Sequence, residues 1–159
     1  HLFVVVADHC ASSAGSTELP LDGYRIPCFI YADFIPAQKI DTLVSQIDVM
    51  PTVMGLLNFS YTSKFIGQDV LTADYQPRAY IATYQDLGYL TPERLTVISP
   101  VKKVRQYDLR LEAEQPAGTE YPLYYSQEER KDLEERGVLE CIARYQYWLK
   151  NQQLNASKK

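Results

Sequence analysis

Long apolar runs, an excess of basic charge and cysteine are what this sequence has least of. No apolar run approaches the roughly 18 residues a membrane helix needs. The longest near the start, Leu2–Ala7, is strand-sized, and no signal-peptide pattern is visible. Against 20 Asp+Glu stand 16 Lys+Arg, a net charge of −4. That argues against a nucleic-acid binder, whose affinity rests on clustered cations meeting phosphates. Cys10, Cys28 and Cys141 are too few and too scattered for a disulfide framework, and the lack of any CxxC pair argues against a cysteine zinc site. A Cys10–Cys28 bridge in an oxidising compartment stays open beside the simpler reading of buried free thiols. No internal repeat or low-complexity tract occurs. Of the 159 residues, 46% are hydrophobic and 23% charged, ordinary globular usage that excludes disorder for most of the chain.

What is present divides into two halves. Leu2–Ala7 is a continuous β-branched run, the pattern of a strand buried on both faces of a parallel sheet. A small, polar loop follows from Cys10 to Gly23, and a second buried strand is expected over Ile26–Ala32. Ser45 with an acid three residues later, Asp48, is a capping-box-like helix start. Ile47, Met50, Met54 and Leu57 then recur at helical spacing, which predicts a helix over about 46–57. Pro51 must kink that helix or mark a later true start, and Asn58 can end it. The second half is rich in tyrosine, with 10 of the 13 after residue 72. Arg78–Tyr84, Leu95–Ser99 and Val101–Leu111 read as strands that pair antiparallel, with a turn at Gln115–Gly118. Ser126 and Glu129 form a capping box for a C-terminal helix whose buried stripe is Val138, Ile142, Tyr145 and Leu149.

The pair Asp8–His9 directly follows the first strand. In open α/β sheets ligands gather at the carboxyl ends of strands. A carboxylate and an imidazole there can share a divalent cation. Such a cation polarises a phosphoryl or sulfuryl oxygen and lowers the pKa of a hydroxyl nucleophile. On its own the dipeptide reads first as an Asp cap beside a surface His.

Four blocks in order supply context. Phe3–Gly15, with Asp8–His9, resembles the metal-binding strand end of the alkaline phosphatase and sulfatase superfamily. Tyr24–Tyr31, with its Ile26-Pro27 step, resembles that superfamily's following strand, and Ser45–Leu57 resembles its S-x-x-D-x-x-P-T helix. Phe65–Leu71 resembles the short element after it. Ala79–Gly88 and Leu95–Pro100 are similar to the tail of the lipoteichoic acid synthase-like branch. The resemblance implies an α/β fold: residues 1–72 as the C-terminal portion of an alkaline phosphatase-like α/β/α core, and 73–159 as a small antiparallel sheet packed by a C-terminal helix. It implies an enzyme anchored in the inner membrane, its catalytic domain facing the periplasm or cell exterior. Such enzymes move phosphoglycerol or phosphoethanolamine from a lipid-linked donor to an envelope glycan or lipid acceptor, with a Thr nucleophile and a divalent metal. Mn²⁺ is the expected metal, with Zn²⁺ and Mg²⁺ as alternatives, and Asp8 and His9 would be two of its ligands.

The departures from the family pattern are equally specific. Only seven residues precede Asp8, and no Thr here stands at the family's nucleophile position. The formylglycine-type motif C-x-P-x-R is also missing. The expectation is therefore the C-terminal part of a larger enzyme, inactive without its N-terminal part, whose exposed strand edges would favour a homodimer. A sulfate or phosphate ester hydrolase of the same superfamily, and a binding module on that fold without catalysis, are the alternatives. Ser12, Ser13, Thr17 and Glu18 line a substrate pocket or form a solvated loop. Asp48 and Pro51-Thr52 are read first as structural. The tyrosines are read as core and sheet-pairing residues before glycan-stacking ones, and Glu128–Asp132 as a solvated helix face.

Overall fold

The computed structural model describes residues 1–10, 21–82, 86–99, 103–112, 124–130, 138, 139, 142, 143 and 146. The chain forms two compact units, His1–Thr42 with Arg110–Ser126, and Leu43–Leu109 with Gln127–Lys159. Among the described residues it is a mixed α/β structure of small antiparallel sheets and α-helix.

In the first unit, β1 (Leu2–Val6) pairs with β2 (Cys28–Ala32), in the register Leu2↔Ala32 to Val6↔Cys28. The pairing is antiparallel, not the parallel arrangement expected from the apolar run. An antiparallel pair needs no crossover helix, and the only regular element described between the strands is the 3₁₀ turn Leu21–Tyr24. Nor are the strands buried. Phe3, Val5, Phe29 and Tyr31 are each more than half exposed. The run reads as buried because both of its faces are apolar; in this pair, among the described residues, only Ala32 is buried. Phe3 and Tyr31 face each other across the ladder, with ring centroids 6.4 Å apart. Cys28 is exposed and Cys10 half-buried, so the reading of buried thiols does not hold, and both are thiols rather than a bridge.

In the second unit a 3₁₀ turn, Gln46–Asp48, runs into α1 (Val49–Leu56). The capping box forms as the spacing predicts. Pro51 marks a later α-helical start: it sits in the first turn of α1, where a missing N–H costs no intrahelical bond. The helix ends in a Schellman arrangement. The Asn58 amide donates to the Gly55 carbonyl at 2.9 Å and the Phe59 amide to the Met54 carbonyl at 3.0 Å. Asn58 takes the left-handed conformation this requires, at φ 54°. Helical spacing locates α1 correctly, yet Ile47, Met50 and Leu57 are exposed while Pro51, Thr52 and Val53 are buried.

Four strands lie in one sheet with a fifth, in the order β3 (Ala79–Ala82), β4 (Leu87–Leu90), β5 (Arg94–Ile98), β6 (Val104–Glu112), β7 (Tyr124–Glu129). β3 to β6 are joined antiparallel in sequence order, as their proximity predicts. Pro92 and Glu93 form the tight β4–β5 turn, closed by the Thr91 amide donating to the Arg94 carbonyl at 2.8 Å. Leu95 and Val97 are fully buried, with Tyr89 and Ile81 on neighbouring strands. Thr96 and Gln106 are buried opposite each other, and Gln106 Nε2 donates to Thr96 Oγ1 at 3.0 Å.

Two expectations change here. Leu87–Leu90 is a strand that pattern reading missed, being short and containing Gly88. Ser126 and Glu129 do not cap a helix; both lie in β7. Their spacing fits a capping box, but Tyr124-Tyr125 ahead of them favour a strand, and sheet pairing decides. Helix does follow, at Val138, Leu139, Ile142, Ala143 and Gln146. Of its expected buried stripe, Val138 is half-buried and Ile142 exposed, while Tyr145 and Leu149 lie outside the described residues. The Gln115–Gly118 turn and Cys141 also lie outside them.

Candidate functional site

Beyond Val6 the chain keeps one more link to β2, the Ala7 amide donating to the Pro27 carbonyl at 3.4 Å. Asp8 and His9 come next, at the carboxyl end of β1. The His9 amide donates to Asp8 Oδ1 at 3.0 Å, and His9 Nε2 lies 3.6 Å from Asp8 Oδ2. Both side chains face solvent, 88% and 78% exposed respectively. On its other side the His9 ring meets the Cys10 carbonyl, with Nδ1 at 2.8 Å. A carbonyl only accepts, so Nδ1 carries the proton, and in the neutral ring Nε2 presents its lone pair on the side of Asp8. The same carbonyl, and then the Asp8 charge, raise the His9 pKa.

This donor set fits a divalent cation. Ligand atoms about 2.0–2.2 Å from one tetrahedral ion stand about 3.3–3.6 Å apart. The Nε2···Oδ2 separation of 3.6 Å falls at the edge of that range without rearrangement. The Nδ1–H···O=C contact is the outer bond that fixes tautomer and ring orientation in metal-binding histidines. Among the described residues no cluster of three or more His, Cys, Asp or Glu could hold a metal ion, so Asp8 and His9 stand as a two-ligand pair. Ser12, Ser13, Thr17 and Glu18 lie outside the described residues.

A second cluster, in the other unit, is wholly different in character. Asp48 and Arg78 are fully buried. Arg78 clamps the Asp48 carboxylate bidentately, Nη1 to Oδ2 at 2.7 Å and Nη2 to Oδ1 at 2.8 Å. The carboxylate also accepts the Ser45 amide at 3.1 Å, the Gln68 amide at 2.8 Å and the Tyr75 hydroxyl at 2.9 Å. Burial alone would push the Asp48 carboxyl up, but the Arg78 guanidinium and the two amides outweigh it and hold it below its ordinary range. Burial, and then the Asp48 charge, raise the Tyr75 pKa, so its hydroxyl stays a donor. The sequence marks Asp48 as a helix cap, which it is. Its ion pair with Arg78 lies 30 residues away and no spacing rule shows it; the only signal is a lone cation ahead of an apolar strand. Thr52 is structural, as expected: its hydroxyl donates to the Asp48 carbonyl at 2.7 Å and accepts the Val70 amide at 3.0 Å.

The first tyrosine pair of the sheet, Tyr80 and Tyr89, stands directly cross-strand with ring centroids 5.4 Å apart. These two serve sheet pairing, the reading preferred from sequence.

Comparison with known proteins bears on the Asp8–His9 end. Residues 1–59 match the model of the Sulfatase family. The chain is also similar to a crystal structure of a protein in the alkaline phosphatase superfamily from Vibrio parahaemolyticus, at 25% identity and a TM-score of 0.70. That match covers 91% of this chain and 35% of the other, so this chain spans about a third of that protein's length. Both findings support one superfamily, and the fold matches part of an alkaline phosphatase-like fold. Neither resolves a branch within it.

Proposed function

Taking the chain as part of an enzyme of the alkaline phosphatase and sulfatase superfamily, we propose that it contributes metal ligands to a phosphoglycerol or phosphoethanolamine transferase of the cell envelope. The observation that carries this reading is Asp8–His9. A carboxylate and a tautomer-fixed imidazole stand at a strand's carboxyl end, within the residues that match the Sulfatase family. The superfamily is generally dependent on divalent metal. Bound here, the ion would supply Lewis-acid polarisation of a phosphoryl oxygen and activation of a hydroxyl nucleophile.

The chain's own residues do the holding. The Cys10 carbonyl fixes the His9 ring through Nδ1, so Nε2 is presented with its lone pair outward. The Asp8 carboxylate supplies the negative charge that a divalent ion requires. Both donors stand in solvent, open to an ion and to a charged headgroup. In this reading Mn²⁺ is the resident ion, and the Thr nucleophile and first acidic ligand come from sequence outside these 159 residues, which alone do not turn over. The donor is a lipid-linked phosphoglycerol or phosphoethanolamine, and the acceptor an envelope glycan or lipid. The site faces the periplasm or cell exterior, anchored at the inner membrane.

The test uses the intact natural protein, its Asp8→Ala and His9→Ala variants, and three substrates: a phosphoglycerol lipid, an aryl phosphate and an aryl sulfate. Transfer from the lipid, reduced by roughly a hundredfold or more in each variant, is the expected result. Faster turnover of an aryl ester than of the lipid would replace transfer with hydrolysis. Activity unchanged in both variants would remove Asp8 and His9 from the site.

A further inference from the structure

Residues 66–78 carry no helix or strand, yet they are tied at intervals to the start of α1. The Gln68 amide reaches Asp48, the Val70 amide reaches Thr52, and the Tyr75 hydroxyl reaches both Asp48 and the Leu43 carbonyl at 3.0 Å. Arg78 closes the far end on Asp48, and its Nη2 also reaches back to the Ile66 carbonyl at 3.4 Å. The segment is bound to itself as well, with the Gln76 amide donating to Gln68 Oε1 at 3.0 Å. Two glycines make the approach close enough. A Cβ at Gly67 would overlap the Ile47 carbonyl, and one at Gly55 would overlap the Asp69 carboxylate.

We propose that residues 66–78 are a strap that closes on the start of α1 through the Asp48–Arg78 clasp and opens as one unit, while β3–β6 stay paired. The contacts are arranged for that. The hydrogen bonds from the strap converge on Leu43, Asp48 and Thr52, so release at one point loosens the rest. The sheet is held differently at its centre, where Leu95 and Val97 are apolar and fully buried. A segment held by polar contacts and a sheet held by apolar burial belong to different opening units.

Amide hydrogen exchange on the purified protein tests this with perturbations at two separate places. Gly67→Ala lifts the strap by a backbone clash and changes no charge. Thr52→Val removes the acceptor of the Val70 amide, together with the hydroxyl's own bond to the Asp48 carbonyl within α1's first turn. Either variant should speed exchange at Gln68, Val70 and Gln76 together, by roughly tenfold or more, with the β4 and β5 amides unchanged. Acceleration confined to the amide nearest each substitution would overturn the strap, since its contacts would then open one by one. Equal acceleration in β4 and β5 would overturn it too, by making strap and sheet one unit. If one variant fails to fold, the other decides.

Discussion

At the scale of single residues, Asp48 is a fully buried carboxylate held by Arg78, two amides and the Tyr75 hydroxyl. Its folded-state pKa is depressed, so the stability it contributes is fully present above the unfolded value of about 4 and is lost as pH falls through the folded one. The direction depends on Arg78. Burial pulls the carboxyl up; the guanidinium, with the Gln68 and Ser45 amides, pulls it down. Arg78→Met leaves burial opposed by amides and the Tyr75 hydroxyl alone. A desolvated carboxylate with neutral donors loses the larger part of its compensation. Asp48 should then titrate above the ordinary carboxylate range instead of below it. Carboxyl ¹³C chemical shifts followed against pH read this directly, and an Asp48 still depressed in the variant would assign the whole effect to neutral donors.

At the scale of elements, the sheet and the strand pair β1–β2 differ in what holds them. Leu95, the second residue of β5, is fully buried between β4 and β6. Leu95→Ala should therefore cost about 2–5 kcal/mol, the range for a buried leucine whose cavity does not collapse. Urea unfolding measures it, and a loss below about 1 kcal/mol would show that the site relaxes or that the sheet is not the stability core. The same contrast explains which elements could be read in advance. β5 is rich in β-branched residues, and the 3₁₀ turn leading into α1 opens on a capping box while α1 closes on a Schellman end, so local physics and tertiary structure agree. β1 was legible as a strand, but its partner's direction was not. An apolar run records which faces want covering, not which strand supplies the hydrogen bonds. Ser126 and Glu129 show the reverse failure, a local signal correct in spacing and overruled by pairing with the preceding strand, β6.

At the scale of the whole molecule, the question is how much of a metal centre these 159 residues contain. The position of Asp8–His9 at the end of a strand is legible because strand, carboxylate and imidazole are contiguous in sequence. Arg78 and the strap were not, because buried ion pairs obey no short-range spacing. Any further metal ligand would be equally invisible to local pattern. The two donors found among the described residues give an ion little beyond what water offers, and the His9 proton competes for Nε2. The 159-residue chain should therefore bind Mn²⁺ weakly by calorimetry, while the intact natural protein binds it roughly a hundredfold or more tighter. In the intact protein Asp8→Ala and His9→Ala should each reduce that affinity sharply. Equal, tight binding by the short chain would mean that further ligands lie within these residues. Binding by neither would leave the strand end without its metal, and the superfamily fold here would serve something other than metal-assisted transfer.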